Sequence, residues 1–486
     1  MLIKKFSISI ILLYFLSYIA IHSQVNEIRA IWIATNHRLD WPPPTFNIEV
    51  QKEALKEIFD SVKSKNLNTI YFQVRSNGTV LFKSSFEPFS LYIDGKGGMP
   101  YDPLQFAIEE AHKRGLEIHA WINTVQVFAG SELNVINNPN HIIQKKPEWI
   151  VEDIKNNSKS YWLNPGLLEV REYLSNLIKE LVENYDVDGV HLDYIRYPGK
   201  NFNDDSTFKL YGKNLSRDEW RRKNITDLIS LINKKIKAVK PNIQLGATPI
   251  GIYKNHKGMN GWEGFYEVYQ DTKDWLKKGI IDYITPQIYW SFDDKYQFDI
   301  LAKDWVENSY GKKVIIGIGA FKDAVKNEIE RMIEYSRKIG ADGVAFFRYS
   351  SIKDYKFLAF NDNVSLTKLE SNKNNQIKNK AENNYTQENN KFEDITLAEN
   401  FSSFNNQFLK PTLIKKSNNY SEIIIYSESD DEIIVKGETE RNNDETLLKT
   451  KIKQGKNVIE LKINIEDYKT IFLIFQKTNK LMRLKL

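Results

Sequence analysis

The chain has 486 residues, a formal net charge of +5 and 27% charged residues. It is too long for one ordinary domain, and its small charge, with acids and bases interleaved, excludes the dominant basic face of a nucleic-acid binder. It has no cysteine, which excludes disulfides, thiolate metal sites, a thiol nucleophile and a lipid-bearing cysteine.

Lys4 and Lys5 precede an apolar run from Phe6 to Ile21, followed by His22, Ser23 and Gln24. A basic start, a short apolar core and small or polar residues after it describe a secretory signal peptide over residues 1–24. The run is short for a membrane span, and an uncleaved anchor is the alternative. The expectation is an exported protein (periplasmic, cell-surface or secreted) with no membrane span after signal removal.

Strand-like and helix-like segments then alternate. The strand candidates are Ile28–Ile33, Thr69–Val74, Leu116–Trp121, Asp188–Asp193, Ile243–Thr248, Ile281–Gln287, Lys313–Ile318 and Asp342–Phe347, short runs rich in apolar and β-branched residues. Amphipathic helices are expected at Glu49–Lys65, Pro103–Arg114, Leu167–Asn184, Asp218–Val239 and Asn327–Lys338. Pro103 stands where a first helical turn tolerates proline, with Asp102 as its cap. Eight strands alternating with helices predict a (β/α)₈ TIM barrel over residues 25–368. An open doubly wound sheet is the runner-up, disfavoured because no glycine-rich dinucleotide fingerprint follows the first strand. Residues 369–400 are almost all polar and read as a disordered linker. Residues 401–486 carry short alternating runs, such as SEIIIYS and KTIFLIFQ, that predict a small all-β, sandwich-like domain.

Strand side chains alternate between faces. This puts His191 and Asp193 inside the barrel, opposite Val190 and Leu192. It groups Tyr71, Gln73 and Arg75 on one face, His119, Trp121 and Asn123 on another, and Thr285, Gln287 and Tyr289 on a third. A purely structural barrel fills these positions with aliphatic residues, and buried polar groups are costly unless satisfied. Polar ends converging at the C-terminal rim therefore mark a candidate active site centred on Asp193, with Arg196 in the turn after it. The bland reading of Asp193 is a carboxylate paired with Arg196 or Arg75 for structure.

Hydrolysis of a glycosidic bond usually needs two carboxyl groups, about 5–5.5 Å apart for retention and about 6.5–9.5 Å for inversion. Candidates for the second are Glu263, Glu267 and Asp271 after the fifth strand, Asp40 in the first loop, and Asp293 or Asp294 after the sixth. Asp271 and Glu263 are taken with Asp193 as the catalytic set. Trp41, Trp121, Tyr289 and Trp290 are candidates for stacking on sugar faces, and ordinary core packing is the alternative for each. His119, His191 and Asp193 have no connected ligand spacing and no HExxH run exists, so neither a metal nor a cofactor is expected.

Several segments are similar to the glycosyl-hydrolase-like 10 family of exported bacterial barrels. EIRAIWIATNHRLDWP (Glu27–Pro42), YFQVRSNG (Tyr71–Gly78), FEPFS (Phe86–Ser90), YDPL, LEIHAWIN and GADGVAFFRYSS resemble it. VDGVHLDYIRYPG (Val187–Gly199) and YQDTKDWLKKGIIDYITPQIYWS (Tyr269–Ser291) are the most specific. The resemblance covers about residues 26–360 and implies a barrel glycosidase acting outside the cytoplasm on cell-wall glycan, notably peptidoglycan strands lacking stem peptides. It implies that Asp193 is the family's carboxylate at the end of the fourth strand, with Arg75, Asn123, Gln287 and Tyr289 around the pocket. With Gln73, Trp121, His191, Arg196 and Trp290, these make up the expected substrate-binding set. Chitinase-type barrels end this strand in a glutamate, where this chain has Ile195. The expected partner is a polysaccharide. The alternatives are a hydrolase of another polysaccharide and a non-catalytic glycan-binding or scaffold protein.

Overall fold

The computed structural model describes residues 27–130, 133–155 and 158–360, and seven strands between Thr412 and Lys485. The expected signal peptide and linker lie outside the described residues. The chain divides into two compact units, Met1–Glu388 and Asn389–Leu486.

The first unit is a closed barrel of eight parallel strands. They are β1 (Ile28–Ile33), β2 (Thr69–Ser76), β3 (Glu117–Asn123), β4 (Gly189–Asp193), β5 (Gln244–Ala247), β6 (Tyr283–Ile284, resuming at Gln287–Ile288), β7 (Lys313–Ile318) and β8 (Gly343–Phe346). Each strand pairs with the next, and β8 returns to β1 with Ile28 opposite Gly343, which closes the ring. Pro286 splits β6, because proline has no N–H to give to a ladder.

A helix follows every strand: α1 (Ile48–Ser64), α2 (Pro103–Lys113), α3 (Leu168–Asn184), α4 (Arg217–Val239), α5 (Thr272–Lys278), α6 (Phe298–Glu307), α7 (Ile329–Lys338) and the single turn α8 (Tyr349–Ile352). The TIM-barrel expectation therefore holds. The helix starts are encoded locally. Asp102 accepts from the Gln105 N–H ahead of Pro103, and Ser216 and Glu219 form a reciprocal capping box at the start of α4. In α3, Val170, Leu174, Leu177, Ile178 and Leu181 form one buried stripe, the three- and four-residue spacing of a helix packed on a sheet.

The barrel interior differs from the usual aliphatic filling. Trp32, Tyr71, Trp121 and Tyr283 pack there with Ala30, Ala34 and Ala345. Small residues make the room: a Cβ on Gly246 would lie 2.0 Å from the Tyr283 ring, and one on Gly189 2.5 Å from His119. No helix among the described residues is long and apolar enough to cross a membrane.

In the second unit, β9 (Thr412–Ser417), β10 (Tyr420–Ser427) and β13 (Gly455–Leu461) form one antiparallel sheet. A second sheet has the order β12 (Asp444–Ile452), β11 (Asp431–Thr439), β14 (Tyr468–Phe475) and β15 (Leu481–Lys485). Ile423, Ile459 and Leu461 from the first sheet share a core with Ile433, Val435, Ile452, Ile471 and Leu473 from the second, which is the packing of a small sandwich.

Candidate active site

Asp193 is the last residue of β4, and its side chain points into the barrel mouth. Its Oδ2 accepts from Trp121 Nε1 at 3.1 Å, and its Oδ1 accepts from the Tyr194 N–H at 2.7 Å and from Gln287 Nε2 at 3.4 Å. The Tyr194 bond depends on a left-handed backbone (φ 48°) at a residue with a bulky side chain, a conformation that surrounding structure must hold in place. Only 7% of Asp193 is exposed. Burial pushes its carboxyl up to about 6, against the pull of the Tyr194 N–H, the Arg196 charge and the Trp121 and Gln287 donors. Asp193 can therefore hold a proton in mildly acidic to neutral solution, as an acid catalyst must.

Below Asp193 lies a layer of aromatic and imidazole rings. His191 stacks on Tyr71 with ring centroids 3.8 Å apart. Its Nε2 accepts from Trp32 Nε1 at 3.0 Å, and its Nδ1 meets the Tyr283 hydroxyl at 3.0 Å. That hydroxyl also meets His119 Nδ1 at 2.8 Å. An indole N–H can only donate, which makes His191 Nε2 the acceptor and puts the one hydrogen of the neutral ring on Nδ1. His191 Nδ1–H therefore donates to the Tyr283 oxygen. His119 Nε2 is buried with no hydrogen-bond partner among the described residues, 3.8 Å from the Glu117 carboxylate. Burial holds the His191 pKa well below its ordinary value, so the ring is neutral. His191 faces inward as expected, but it lies wholly buried beneath the pocket, with both ring nitrogens engaged, and not on the pocket lining. His119 and His191 share the Tyr283 hydroxyl and do not join Asp193 in a ligand set. Among the described residues, no group of three His, Cys, Asp or Glu side chains gathers as a metal site.

Gln73 and Asn123 face inward and are joined by a bond from Gln73 Nε2 to Asn123 Oδ1 at 3.1 Å. Gln73 Oε1 accepts from the N–H groups of Thr35 and Asn36, which ties the loop after β1 to the rim. Gln287 also reaches Thr248 Oγ1 at 3.4 Å. Tyr289 packs near Asp193 against Phe321 and Phe347. Trp290 is half-buried and meets Tyr296 edge-on.

Two expectations are corrected. Arg75 does not continue the row of Tyr71 and Gln73, because a bulge in β2 sets Arg75 opposite Ile122, and such a bulge re-aims a side chain. Its guanidinium is buried and forked onto Glu87 (Nη2–Oε1 2.6 Å, Nε–Oε2 2.8 Å), and Nη1 donates to the carbonyls of Asn123 and Thr124. Tyr173 of α3 donates to the same Glu87. The cluster braces the end of β3 and does not line a pocket. Trp41 is fully buried, with its Nε1 on the Gln51 carbonyl at 2.8 Å, so it is core and not a stacking platform.

Five of the six acids considered as a second carboxyl hold loops, and the sixth, Asp293, is exposed. Glu263 is buried and accepts from the Asn255 backbone and side-chain amides at 2.5 and 2.7 Å. Asp271 precedes α5 and accepts from the Tyr253 hydroxyl at 3.0 Å. Asp40 is locked against Arg348 and the Ala34 and Ser350 N–H groups. Asp294 accepts from the Ser291 N–H, and Glu267 pairs with Lys200. None of these bonds goes to Asp193 or its partners.

Arg196 sits in the turn after β4, half-buried among three aromatic rings. Its guanidinium carbon lies 4.9 Å from the ring centroid of Tyr194, 5.0 Å from that of Trp262 and 5.2 Å from that of Trp162. Trp162 comes from a three-stranded hairpin sheet (Gln126–Ala129, Ile150–Lys155, Ser158–Leu163) inserted between β3 and α3. Trp262 comes from the loop after β5. Trp32, Tyr283, Trp162, Trp262, Phe321 and Phe347 went unpredicted. Strand alternation contained the signal for Trp32 and Tyr283, which share parity with Ala30 and Thr285. The two loop tryptophans carry no periodic signal.

The family model "Glycosyl hydrolase-like 10" matches residues 27–337. The "Glycosyl hydrolase DigH" of Escherichia coli strain K12 is 35% identical over 332 residues, 63% of this chain and 76% of that protein. The "Glycosyl hydrolase YngK" of Bacillus subtilis strain 168 is 33% identical over 323 residues, 63% of this chain and 62% of that protein. Among solved structures, an α-L-fucosidase isoenzyme 2 from Paenibacillus thiaminolyticus is 15% identical, covers 72% of this chain and 50% of that one, and has a TM-score of 0.46. The chain belongs to the glycosyl hydrolase-like 10 family, and that membership supports a glycosidase-type function.

Proposed function

We propose, with that family membership as the premise, that the chain is an exported glycosidase cleaving an amino-sugar glycan, peptidoglycan strands first of all, with Asp193 as its central carboxylate and proton donor. The observation that carries this reading is Asp193 itself, an inward-facing acid at the C-terminal end of a barrel strand with its carboxyl pushed up to about 6. Barrel enzymes place their chemistry at that rim.

The step balances as follows. Protonated Asp193 gives its hydrogen to the glycosidic oxygen as the bond from that oxygen to the anomeric carbon breaks. The departing sugar leaves as an alcohol. Of the other acids considered, Asp40, Glu263, Glu267, Asp271 and Asp294 are engaged in the contacts described above. The acetamido oxygen of the substrate then meets the positive charge at the anomeric carbon and closes a ring on it. Water opens that ring and returns a proton to the Asp193 carboxylate. Substrate assistance of this kind is a known exception to the two-carboxylate scheme, and it favours an amino sugar over a neutral hexose.

The test is digestion of purified peptidoglycan, with and without stem peptides, by the wild type and by Asp193→Asn, read by mass spectrometry. The expected result is glycan fragments from the wild type alone, with the new reducing end identifying the bond cut. Fragments from neither would reject a peptidoglycan hydrolase. Equal fragments from both would remove Asp193 from the mechanism.

A further inference from the structure

The Arg196 guanidinium is an unusual cation for a protein interior. Three aromatic rings surround it, and among the described residues its one hydrogen bond goes from Nη1 to the Tyr197 carbonyl at 3.2 Å. Among the described residues, no carboxylate lies within ion-pair distance of it. The acids that act on it, Asp193 and Asp153, act through space, as does the Tyr194 phenol. The other buried arginines contrast with it: Arg75 is forked onto Glu87 and Arg221 onto Asp204, and Arg348 meets Asp40. A guanidinium has five donors in a planar fork that matches a carboxylate. Aromatic faces stabilise its charge but take none of those donors. Arg196 is thus held in place, half-buried, two turn residues from Asp193, with most of its hydrogen-bonding capacity unused by the described residues.

We propose that Arg196 is the specificity-determining residue of the site and that it reads a carboxylate carried by the sugar bound beside Asp193. The ligand class is an acidic sugar whose carboxylate is free. A sugar with the same skeleton but an esterified or amidated carboxyl lacks the charge that the fork accepts. Leaving the buried donors unanswered is what makes such a site reject the neutral analogue. A second rim cation favours the same polarity. Lys322 is half-buried beside Trp290 and Phe321, with ring centroids 5.7 and 5.9 Å from its Nζ. The inference rests on the reading of the rim as a glycan site, but not on which bond is cut.

The test is equilibrium binding to the full chain, with tryptophan fluorescence as the readout because Trp162 and Trp262 flank the guanidinium. The probes are N-acetylmuramic acid, its methyl ester, N-acetylglucosamine and glucuronic acid. The free acid is expected to bind at least about tenfold more tightly than its ester, the scale of a hydrogen bond to a charged group. Arg196→Gln is expected to bind acid and ester alike, and Arg196→Lys to keep part of the difference. Preference for the muramyl acid over glucuronate places the carboxylate on an ether arm, and the reverse places it on the ring. Equal binding of acid and ester by the wild type, absence of acid binding, or discrimination that survives Arg196→Gln would overturn the proposal. Discrimination without cleavage of any peptidoglycan would leave it standing and reject the proposed reaction instead.

Discussion

Asp193 should destabilise the fold whenever it is ionised. Its carboxyl moves from an ordinary value of 3.8 to about 6 in the folded chain, chiefly through burial. A raised folded-state value means that the folded chain holds this proton more tightly than the unfolded one. The associated stability is fully present below about 3.8 and is lost as pH rises through about 6. At about 1.36 kcal/mol per unit, the whole difference is about 3 kcal/mol, most of which falls between pH 4 and pH 7. Asp193→Asn removes the ionisation and keeps the shape. Its amide nitrogen must face one of the donors that now serve the carboxylate, a penalty of about 1–3 kcal/mol that does not change with pH. The discriminating quantity is therefore the change with pH of the stability difference between the two proteins. The variant should gain about 2 kcal/mol on the wild type between pH 4 and pH 7. Urea unfolding followed by tryptophan fluorescence reads the barrel alone, because all 10 tryptophans lie between Trp32 and Trp305. Parallel stability curves for the two proteins across this range would refute the claim that burial penalises the Asp193 charge.

Other outcomes follow from the same contacts. If Asp193 donates the proton, turnover should fall about tenfold per unit as pH rises above about 6, and the pH–rate profile of glycan cleavage checks this. Asp193→Asn should lower turnover by about 10²–10⁴-fold while the circular dichroism spectrum is kept. Trp121→Phe deletes the donor to Asp193 Oδ2 but keeps most of the ring. The basic limb of the profile should then move upward by up to about one unit. Glu87→Ala strands the buried Arg75 guanidinium and should cost about 3–5 kcal/mol in urea unfolding. Tyr283→Phe removes the hydroxyl shared by two imidazoles and should cost about 1–3 kcal/mol, with little change in the pH profile.

The barrel was readable because its strands announce themselves one at a time. β1 and β7 begin and end where the apolar runs do, and the alternation in β3 and β4 placed Trp121, Asn123, His191 and Asp193 correctly on the inner face. Period-two reasoning failed where the backbone departs from period two. The β2 bulge turned Arg75 away, and nothing in the letters QVRS marks an extra residue in a strand. Trp41 misled for a different reason: a tryptophan in a loop after a barrel strand suits a sugar platform, but the loop folds back and buries it on Gln51. The aromatic box around Arg196 was out of reach, because Trp162, Tyr194 and Trp262 come from three separate segments whose meeting is purely tertiary. The second catalytic carboxyl could not be chosen from sequence because Glu263 and Asp271 look alike there. Only their bonds to Asn255 and Tyr253 show what each does in the fold.

The hydrogen bonds below Asp193 start from an indole that can only give, which commits His191 to accept on Nε2 and to give from Nδ1 to Tyr283. His191 takes from Trp32 and gives to Tyr283, so a replacement at 191 must meet both partners at once. Replacing His191 with a glutamine, for instance, makes its amide orientation answer to both Trp32 and Tyr283. Replacements at 32 and 191 should therefore be tolerated best when the two change together. Drift at these two positions among descendants of this chain should be correlated, although neither residue is proposed to touch the substrate.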